Sequence, residues 1–222
     1  MIILAICTEG ENSEPNYLIA YKKALFGTTP GLEAKFEIVP VPLHGNHGHK
    51  KIFEKANMEL SRRKQDPMSL LSVIDGADDV VEKWIIVDYD KMEKHGINEK
   101  EFRQKAIEYG YNVVINKPNF ELFILCHFIP IERVKNVKPS QYEKYINSEI
   151  DNYNKTHGYD HNNQALKLPS YSKNKYASSD LFEKLLSQNN NLLDIVTNES
   201  FAQGDKNRYS DMYKIFERLN KK

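Results

Sequence analysis

The chain alternates between short apolar runs and amphipathic segments over its first 130 residues, and this alternation limits the fold more than any other feature. Continuous apolar runs are typical of strands buried on both faces, whereas hydrophobic residues three and four positions apart are typical of helices. Because helices separate the strands, the connections are crossovers, which produce a largely parallel sheet. The pattern predicts an α/β fold with strands at residues 2–7, 36–41, 83–87 and 111–115.

Proline, glycine and capping residues mark where these elements begin and end. Ser13-Glu-Pro15 opens the first helix, because proline is favoured in the first helical turn. Asn98 is a capping residue that starts a later helix, and Gly110 closes it. Pro40 and Pro42 are expected to end the second strand, since proline donates no hydrogen bond to a sheet.

The remainder of the chain has helical periodicity only. Helices are predicted at residues 139–156, 178–188 and 207–219. A polar tract over residues 152–175 is either disordered or a functional loop. This division predicts an α/β core over residues 1–130 and a helical extension over residues 131–222, packed on or beside the core.

Composition excludes several classes of protein. Lysine and arginine number 31, as do aspartate and glutamate, so nucleic-acid affinity must rest on local lysines and metal ions instead of overall charge. No run approaches the roughly 18 apolar residues of a membrane span, and the apolar start lacks the basic residues of a signal peptide. A cytoplasmic location without membrane contact is therefore expected. Cys7 and Cys126 lie far apart in apolar runs, which predicts core thiols and neither a disulfide nor a zinc site.

Acidic residues follow two of the predicted strands at the point where each strand ends. Glu9 comes shortly after the first strand, and Asp88 and Asp90 follow the third. In parallel sheets, ligand sites gather beyond the carboxyl ends of the strands, so these carboxylates are expected to converge. Asp88 and Asp90 share one side if the chain stays extended there. Converging carboxylates need a cation, and oxygen ligands suit Mg²⁺ or Mn²⁺. The alternative is that each residue is an ordinary turn former.

Four sequence blocks stand out: Thr8-Glu-Gly-Glu-Asn-Ser-Glu-Pro-Asn-Tyr17, Trp84-Ile-Ile-Val-Asp-Tyr-Asp90, Asn116-Lys-Pro-Asn-Phe-Glu-Leu-Phe-Ile-Leu-Cys-His-Phe128 and Leu168-Pro-Ser-Tyr-Ser-Lys173. In this order they resemble blocks of the RloB-like family and span roughly residues 1–175. The third block is the most distinctive. Two departures are Ser13, where threonine is commoner, and Lys117, which is inserted into the approach to Phe120.

The resemblance implies a Toprim-like fold and a partnership with an AAA- or ABC-type ATPase in bacterial restriction or phage-defence loci. It implies a Mg²⁺- or Mn²⁺-dependent nuclease acting on DNA or RNA, with tRNA among the candidates. Carried over to this chain, Glu9 is a metal ligand or base, and Asp88 and Asp90 are metal ligands. Glu121 and Lys173 would complete the catalytic set, Glu121 as a second-metal ligand or substrate contact and Lys173 beside the scissile phosphate.

Further residues are candidates for substrate contacts, each with a plainer interpretation. Glu11, His127 and Lys50 are expected to contact substrate, although an apolar setting favours a core role for His127. Glu14 is better explained as a helix cap. Five other histidines lie in polar or glycine-rich stretches that lack the spacing of a metal site: His44, His47, His49, His157 and His161.

Two other functions stay open from the sequence. One is a catalytically silent Toprim-like module that senses nucleic acid or nucleotide and docks on the ATPase. The other is phosphoryl transfer of a different kind, such as nucleotidyl transfer.

Overall fold

The computed structural model describes residues 2–28, 36–43, 51–72, 80–134, 136–157, 166–173, 178–188 and 208–220. Its strands are β1 (Ile2–Thr8), β2 (Phe36–Pro42), β3 (Val80–Asp88), β4 (Tyr111–Lys117) and β5 (Tyr209–Ser210). Within the described residues they form one sheet in the order β2-β1-β3-β4-β5. Parallel pairing joins β1 to β2 and to β3, and antiparallel pairing joins β4 to β5. The predicted α/β class with a mostly parallel sheet is confirmed.

Helices connect and follow the strands. They are α1 (Ser13–Thr28), α2 (Ile52–Gln65), α3 (Tyr89–Lys94), α4 (Glu99–Glu108), α5 (Phe120–Leu125), α6 (Ile131–Val134), α7 (Tyr142–Thr156), α8 (Ser178–Gln188) and α9 (Tyr213–Asn220). Short 3-10 helices lie at Leu70–Ser72 and Pro139–Gln141. No described helix is long and apolar enough to cross a membrane.

The chain divides into two compact units, Met1–Val114 and Ile115–Lys222. The predicted domain boundary after residue 130 stays a prediction. Each unit has its own buried core and is described by itself.

The first unit is built around β1, whose residues from Ile3 to Thr8 are all buried. On α2 four apolar residues form a buried stripe: Ile52, Phe53, Ala56 and Leu60. The Phe53 ring contacts the rings of three further residues at centroid distances between 5.0 and 5.7 Å: Phe102, Tyr109 and Tyr111. This aromatic group fixes α2 against α4 and the start of β4.

The ends of α4 agree with the sequence. The Asn98 side chain accepts hydrogen bonds from the backbone N–H groups of Lys100 and Glu101, at 2.9 and 3.4 Å. Gly110, with φ of 72°, ends the helix in the left-handed region that favours glycine. Local capping chemistry therefore accounts for both boundaries.

Strand β2 extends one residue past its predicted end at Val41, because Pro42 does not terminate it. The strand continues through Pro40, which pairs with Ile6, to Pro42, which pairs with Thr8. β2 lies at the edge of the sheet order, and an edge strand tolerates proline since its missing N–H can face away from the neighbouring strand.

The second unit contains a strand that the sequence did not predict. Helix was expected over residues 207–219, but α9 begins at Tyr213 and is preceded by β5. The strand pairs Ser210 with Asn116, and the Ser210 hydroxyl donates a 2.7 Å hydrogen bond to the Asn116 side chain. A two-residue strand is too short for periodicity to reveal, and its partner is distant in sequence. The Lys117–Pro118 peptide bond is cis.

Candidate active site

Glu9 and Asp88 lie side by side where β1 and β3 end. The two strands pair in parallel with Thr8 opposite Ile86, so both chains reach the same edge together. The Glu9 N–H donates to the Ile86 carbonyl at 3.2 Å, and the Asp88 N–H donates to Glu9 Oε2 at 3.3 Å. The Asp88 side chain is buried in this position. Strand register thus brings together two carboxylates that are 79 residues apart in sequence.

Asp90 follows β3 in a different conformation from the predicted one. Asp88 is the last residue of β3, and α3 starts at Tyr89, so the extended conformation does not continue to Asp90. The expected strand alternation is therefore wrong here, and Asp90 lies in the first helical turn. Its Oδ1 atom is enclosed and has no hydrogen-bond partner within the described residues. An enclosed carboxylate oxygen without a partner is costly unless a ligand satisfies it.

Lys91 is a functional candidate that the sequence reasoning missed. Its Nζ lies 3.3 Å from Glu9 Oε1. Burial opposes the charge on this lysine, but the carboxylates of Glu9, Asp88 and Glu14 outweigh burial and raise the pKa of Lys91. The ammonium therefore supplies a positive charge to this group of carboxylates. The only available signal was a lysine directly after the Asp-x-Asp sequence.

Gly10 and Glu14 shape the other side of the site. The Thr8 hydroxyl donates a 2.8 Å hydrogen bond to the Gly10 carbonyl, which turns the chain after β1. A Cβ atom at Gly10 would lie only 1.9 Å from Glu14 Oε2, so the Glu14 carboxylate occupies the space that a larger residue would need. Glu14 is buried in the first turn of α1, and Glu11 is exposed.

The donor chemistry of this site suits a divalent cation, but the side chains are not gathered around one. Among the described residues, no group of three or more His, Cys, Asp or Glu side chains is close enough to hold a metal ion. Glu9, Asp88 and Asp90 offer the carboxylate oxygens that Mg²⁺ and Mn²⁺ prefer, and the enclosed Asp90 oxygen fits a missing ligand. These three residues would hold the ion after small side-chain movements.

A second polar cluster, formed by Glu121, Tyr171 and Lys173, lies in the second unit. The Glu121 side chain is only 6% exposed, although it carries a charge. The Tyr171 hydroxyl donates to its Oε1 at 3.2 Å, and Lys173 Nζ lies 2.9 Å from Oε1 and 3.1 Å from Oε2. Because the Lys173 side chain is 46% exposed, its ammonium neutralises a buried carboxylate while facing solvent. Glu121 is thus an ion-pair partner as well as a residue in the first turn of α5.

His127 lies buried in the second unit. Its Nδ1 is 2.9 Å from the Phe123 carbonyl, and its ring meets the Phe123 ring edge-on at 4.8 Å. Burial, only partly offset by backbone hydrogen bonds, lowers the pKa of His127 to about 4. The ring is therefore neutral at physiological pH, as expected of a satisfied core histidine. Its predicted contact with substrate stays a prediction.

The cysteines behave as core residues. Cys7 and Cys126 are both buried free thiols. Burial raises the pKa of Cys7 to about 12, so its thiol stays protonated and is a poor nucleophile.

Five residues named from the sequence lie outside the described part of the chain: His44, His47, His49, Lys50 and His161.

Comparison with known protein families shows to which family the chain belongs. The family model for RloB-like protein matches residues 4–219, nearly the whole chain. This chain belongs to the RloB-like protein family. In this RloB-like chain, the matched region includes both the edge formed by Glu9 and Asp88 and the Glu121–Lys173 pair. No curated protein and no solved structure matches the chain significantly.

Proposed function

We propose that this RloB-like protein is a nuclease that hydrolyses phosphodiester bonds of DNA or RNA, possible substrates including tRNA, with Mg²⁺ or Mn²⁺. The observation that carries the proposal is the meeting of Glu9 and Asp88 at the ends of two parallel strands. Two residues after Asp88, the enclosed Oδ1 of Asp90 has no hydrogen-bond partner among the described residues. Together these three residues would hold the cation. When bound, it would polarise the phosphate and lower the pKa of a bound water.

The chain's own residues would prepare the site for this chemistry. The Asp88 N–H orients the Glu9 carboxylate through its bond to Oε2, which leaves Oε1 beside Lys91. Lys91 lowers the repulsion between neighbouring carboxylates, which favours their charged forms before a cation binds. A charged group fixed by the backbone before substrate binds requires little reorganisation during the reaction.

Lys173 would bind a phosphate of the substrate. Its ammonium is held by the buried Glu121 carboxylate yet is close to half exposed, so it can meet an anion without leaving its partner. Because the formal net charge of the chain is zero, such local lysines would supply the attraction for nucleic acid.

The biological setting belongs to the proposal as well. Membership of the RloB-like family supports a role as the cytoplasmic effector of an ATPase-linked anti-phage defence system, with the ATPase controlling when cleavage occurs. The Toprim-like relationship of the fold is proposed on the same ground and on the mostly parallel sheet.

One observation favours a second candidate function. Lys91 already supplies a cation to Glu9, so these carboxylates are partly neutralised without a metal ion. That arrangement also suits a catalytically silent module that senses nucleic acid or nucleotide and docks on the ATPase.

A cleavage assay separates the two. Purified protein is incubated with a mixed DNA and tRNA pool, with and without the ATPase, in Mg²⁺ or Mn²⁺, as wild type, Asp88→Ala and Glu93→Ala. Glu93 is the matched control, because it is an exposed carboxylate on α3. A nuclease requires cleavage by wild type and Glu93→Ala and loss of cleavage in Asp88→Ala. No cleavage under any condition, or equal cleavage by Asp88→Ala, rejects the nuclease.

A further inference from the structure

Two asparagines of α7 hold the backbone of the segment 166–173. Asn154 Nδ2 donates to the Leu168 carbonyl, and Asn154 Oδ1 accepts from the Leu168 N–H, both at 2.9 Å. Asn147 makes the same pair of bonds with Tyr171, at 3.0 Å to the carbonyl and 2.8 Å from the N–H. Each amide side chain therefore does what a neighbouring β-strand would do for one residue, satisfying both backbone polar groups.

The spacing of these two contacts sets one register. Asn147 and Asn154 are seven positions apart in α7, so they lie on one face of the helix with a rise of about 10 Å between them. Leu168 and Tyr171 are three positions apart in a segment without regular secondary structure. Both pairs of bonds form together only when Leu168 faces Asn154 and Tyr171 faces Asn147. A slip by one residue would break all four bonds and displace the buried side chains of Leu168 and Tyr171.

This register places the Tyr171 hydroxyl and the Lys173 ammonium beside the Glu121 carboxylate. Tyr171, held directly by Asn147, places its hydroxyl 3.2 Å from Glu121 Oε1. Two residues further on, Lys173 lies at a turn and places Nζ 2.9 Å from the same oxygen. A buried carboxylate thus receives its hydroxyl and ammonium partners from a segment with no regular secondary structure of its own.

We propose that Asn147 and Asn154 are positioning residues that fix the segment 166–173 in register, so that Lys173 is held on Glu121 with its ammonium presented to a phosphate of the substrate. The substrate part of this inference rests on the proposed nuclease function. The register itself rests on the four hydrogen bonds alone.

The primary test measures hydrogen exchange at the backbone N–H groups of Leu168 and Tyr171, residue by residue, in the Asn147→Ala variant. Loss of one hydrogen bond to Tyr171 N–H is expected to speed exchange at Tyr171 by about tenfold or more. The control is Asn152→Ala, an exposed asparagine of the same helix, which should leave exchange at Tyr171 unchanged. Because Asn154 is buried, Asn154→Ala is a second variant, read at Leu168 after thermal unfolding has confirmed that it folds.

Lys173 provides an independent readout. The rate at which a small acetylating reagent that reacts with amines modifies Lys173 is compared with the rate for Lys144, an exposed lysine of α7 in the same sample. The ion pair should make Lys173 several-fold less reactive than Lys144 in wild type, and Asn147→Ala should reduce the difference. Equal reactivity of the two lysines in wild type, or no change at either Tyr171 or Lys173 in a folded Asn147→Ala variant, overturns the proposed register.

Cleavage kinetics then test the catalytic part. Asn147→Ala is expected to lower kcat in the same sense as Lys173→Ala, while Asn152→Ala keeps the wild-type value. If wild type shows no cleavage while the exchange and acetylation results are as expected, the nuclease function fails and the positioning of Lys173 stands. If wild type cleaves and Asn147→Ala keeps the wild-type kcat and KM, the positioning role in catalysis is overturned.

Discussion

Lys91 Nζ lies 3.3 Å from Glu9 Oε1, so a lysine of α3 supplies a cation at the carboxyl end of β1. The pKa of Lys91 is raised, against the effect of burial, by Glu9, Asp88 and Glu14. This internal cation allows the carboxylates to lie close together in the absence of a metal ion. A divalent cation would share or take over that role.

Lys91→Gln removes the internal cation and leaves the carboxylates to repel one another. We expect the variant to lose about 0.5–1 kcal/mol of unfolding free energy in metal-free buffer, because solvent screens this half-exposed ion pair. Part of the loss should be recovered when Mn²⁺ is added, because a ligand that binds only the folded state stabilises it. Thermal unfolding with and without Mn²⁺ measures both effects.

The control is Lys94→Gln, an exposed lysine on the same helix. It should unfold like wild type in both buffers. Equal stability of Lys91→Gln and wild type without metal would show that Lys91 does not balance these carboxylates.

His127 should make the protein sensitive to mild acid. Its folded pKa of about 4 lies below the ordinary value of 6.5, so the unfolded state binds the proton more tightly. Stability is therefore fully present above pH 6.5, falls as the pH drops from 6.5 towards 4, and loses at most about 3 kcal/mol from this group. Denaturant unfolding between pH 4 and 7 should show a shallower slope for His127→Gln.

His157→Gln is the matched control for that experiment. The His157 Nδ1 lies 2.9 Å from the Tyr153 carbonyl, the same local bond that His127 makes, but His157 is exposed. The variant should keep the wild-type pH slope. A wild-type slope in His127→Gln would show that acid sensitivity arises elsewhere.

The Glu121–Lys173 pair predicts a non-additive pair of substitutions. Lys173→Gln leaves a buried carboxylate with a hydroxyl partner but without its ammonium, and should cost about 1–3 kcal/mol. Adding Glu121→Gln removes the uncompensated charge and should restore part of the loss. A double-mutant cycle measured by denaturant unfolding reports the coupling. Purely additive effects would mean that the ion pair does not form in solution.

Gly10 and Gly27 should respond oppositely to alanine. At Gly10 the new Cβ would meet the Glu14 carboxylate, the end of a flexible side chain that can rotate aside, so Gly10→Ala should destabilise the protein by about 0.5–1.5 kcal/mol. At Gly27, within α1, nothing lies within 4 Å of the new Cβ, and Gly27→Ala should be neutral or stabilising by up to about 1 kcal/mol. Thermal unfolding measures the stability of both variants. The double variant Gly10→Ala with Glu14→Ala should recover part of the stability that Gly10→Ala loses.

Local sequence patterns were sufficient for most of the fold. Apolar runs located β1 and the buried part of β3, and capping chemistry located both ends of α4. The first residues of β3 were missed because Val80 is exposed and its neighbours are half-buried, so they carry no apolar run. β5 was missed because its two residues are defined only by pairing with distant Asn116 and Lys117.

The candidate site divides in the same way. Convergence of Glu9 and Asp88 at one sheet edge follows from parallel strands, which the sequence predicts, whereas the pairing of β1 with β3 is seen only in the structure. The helical position of Asp90, the Lys91 contact and the asparagine bonds to Leu168 and Tyr171 depend on side-chain geometry between separate elements. No periodic pattern encodes such contacts.

The most direct test of the proposed metal site is a calorimetric titration of Mn²⁺ into the metal-free protein. The proposal predicts saturable binding to wild type, unchanged binding to Glu93→Gln, and binding at least about tenfold weaker to Asp88→Asn, which keeps the side-chain volume but removes a charged ligand. Absence of binding to wild type, or equal affinity in Asp88→Asn, would contradict a metal site at Glu9, Asp88 and Asp90.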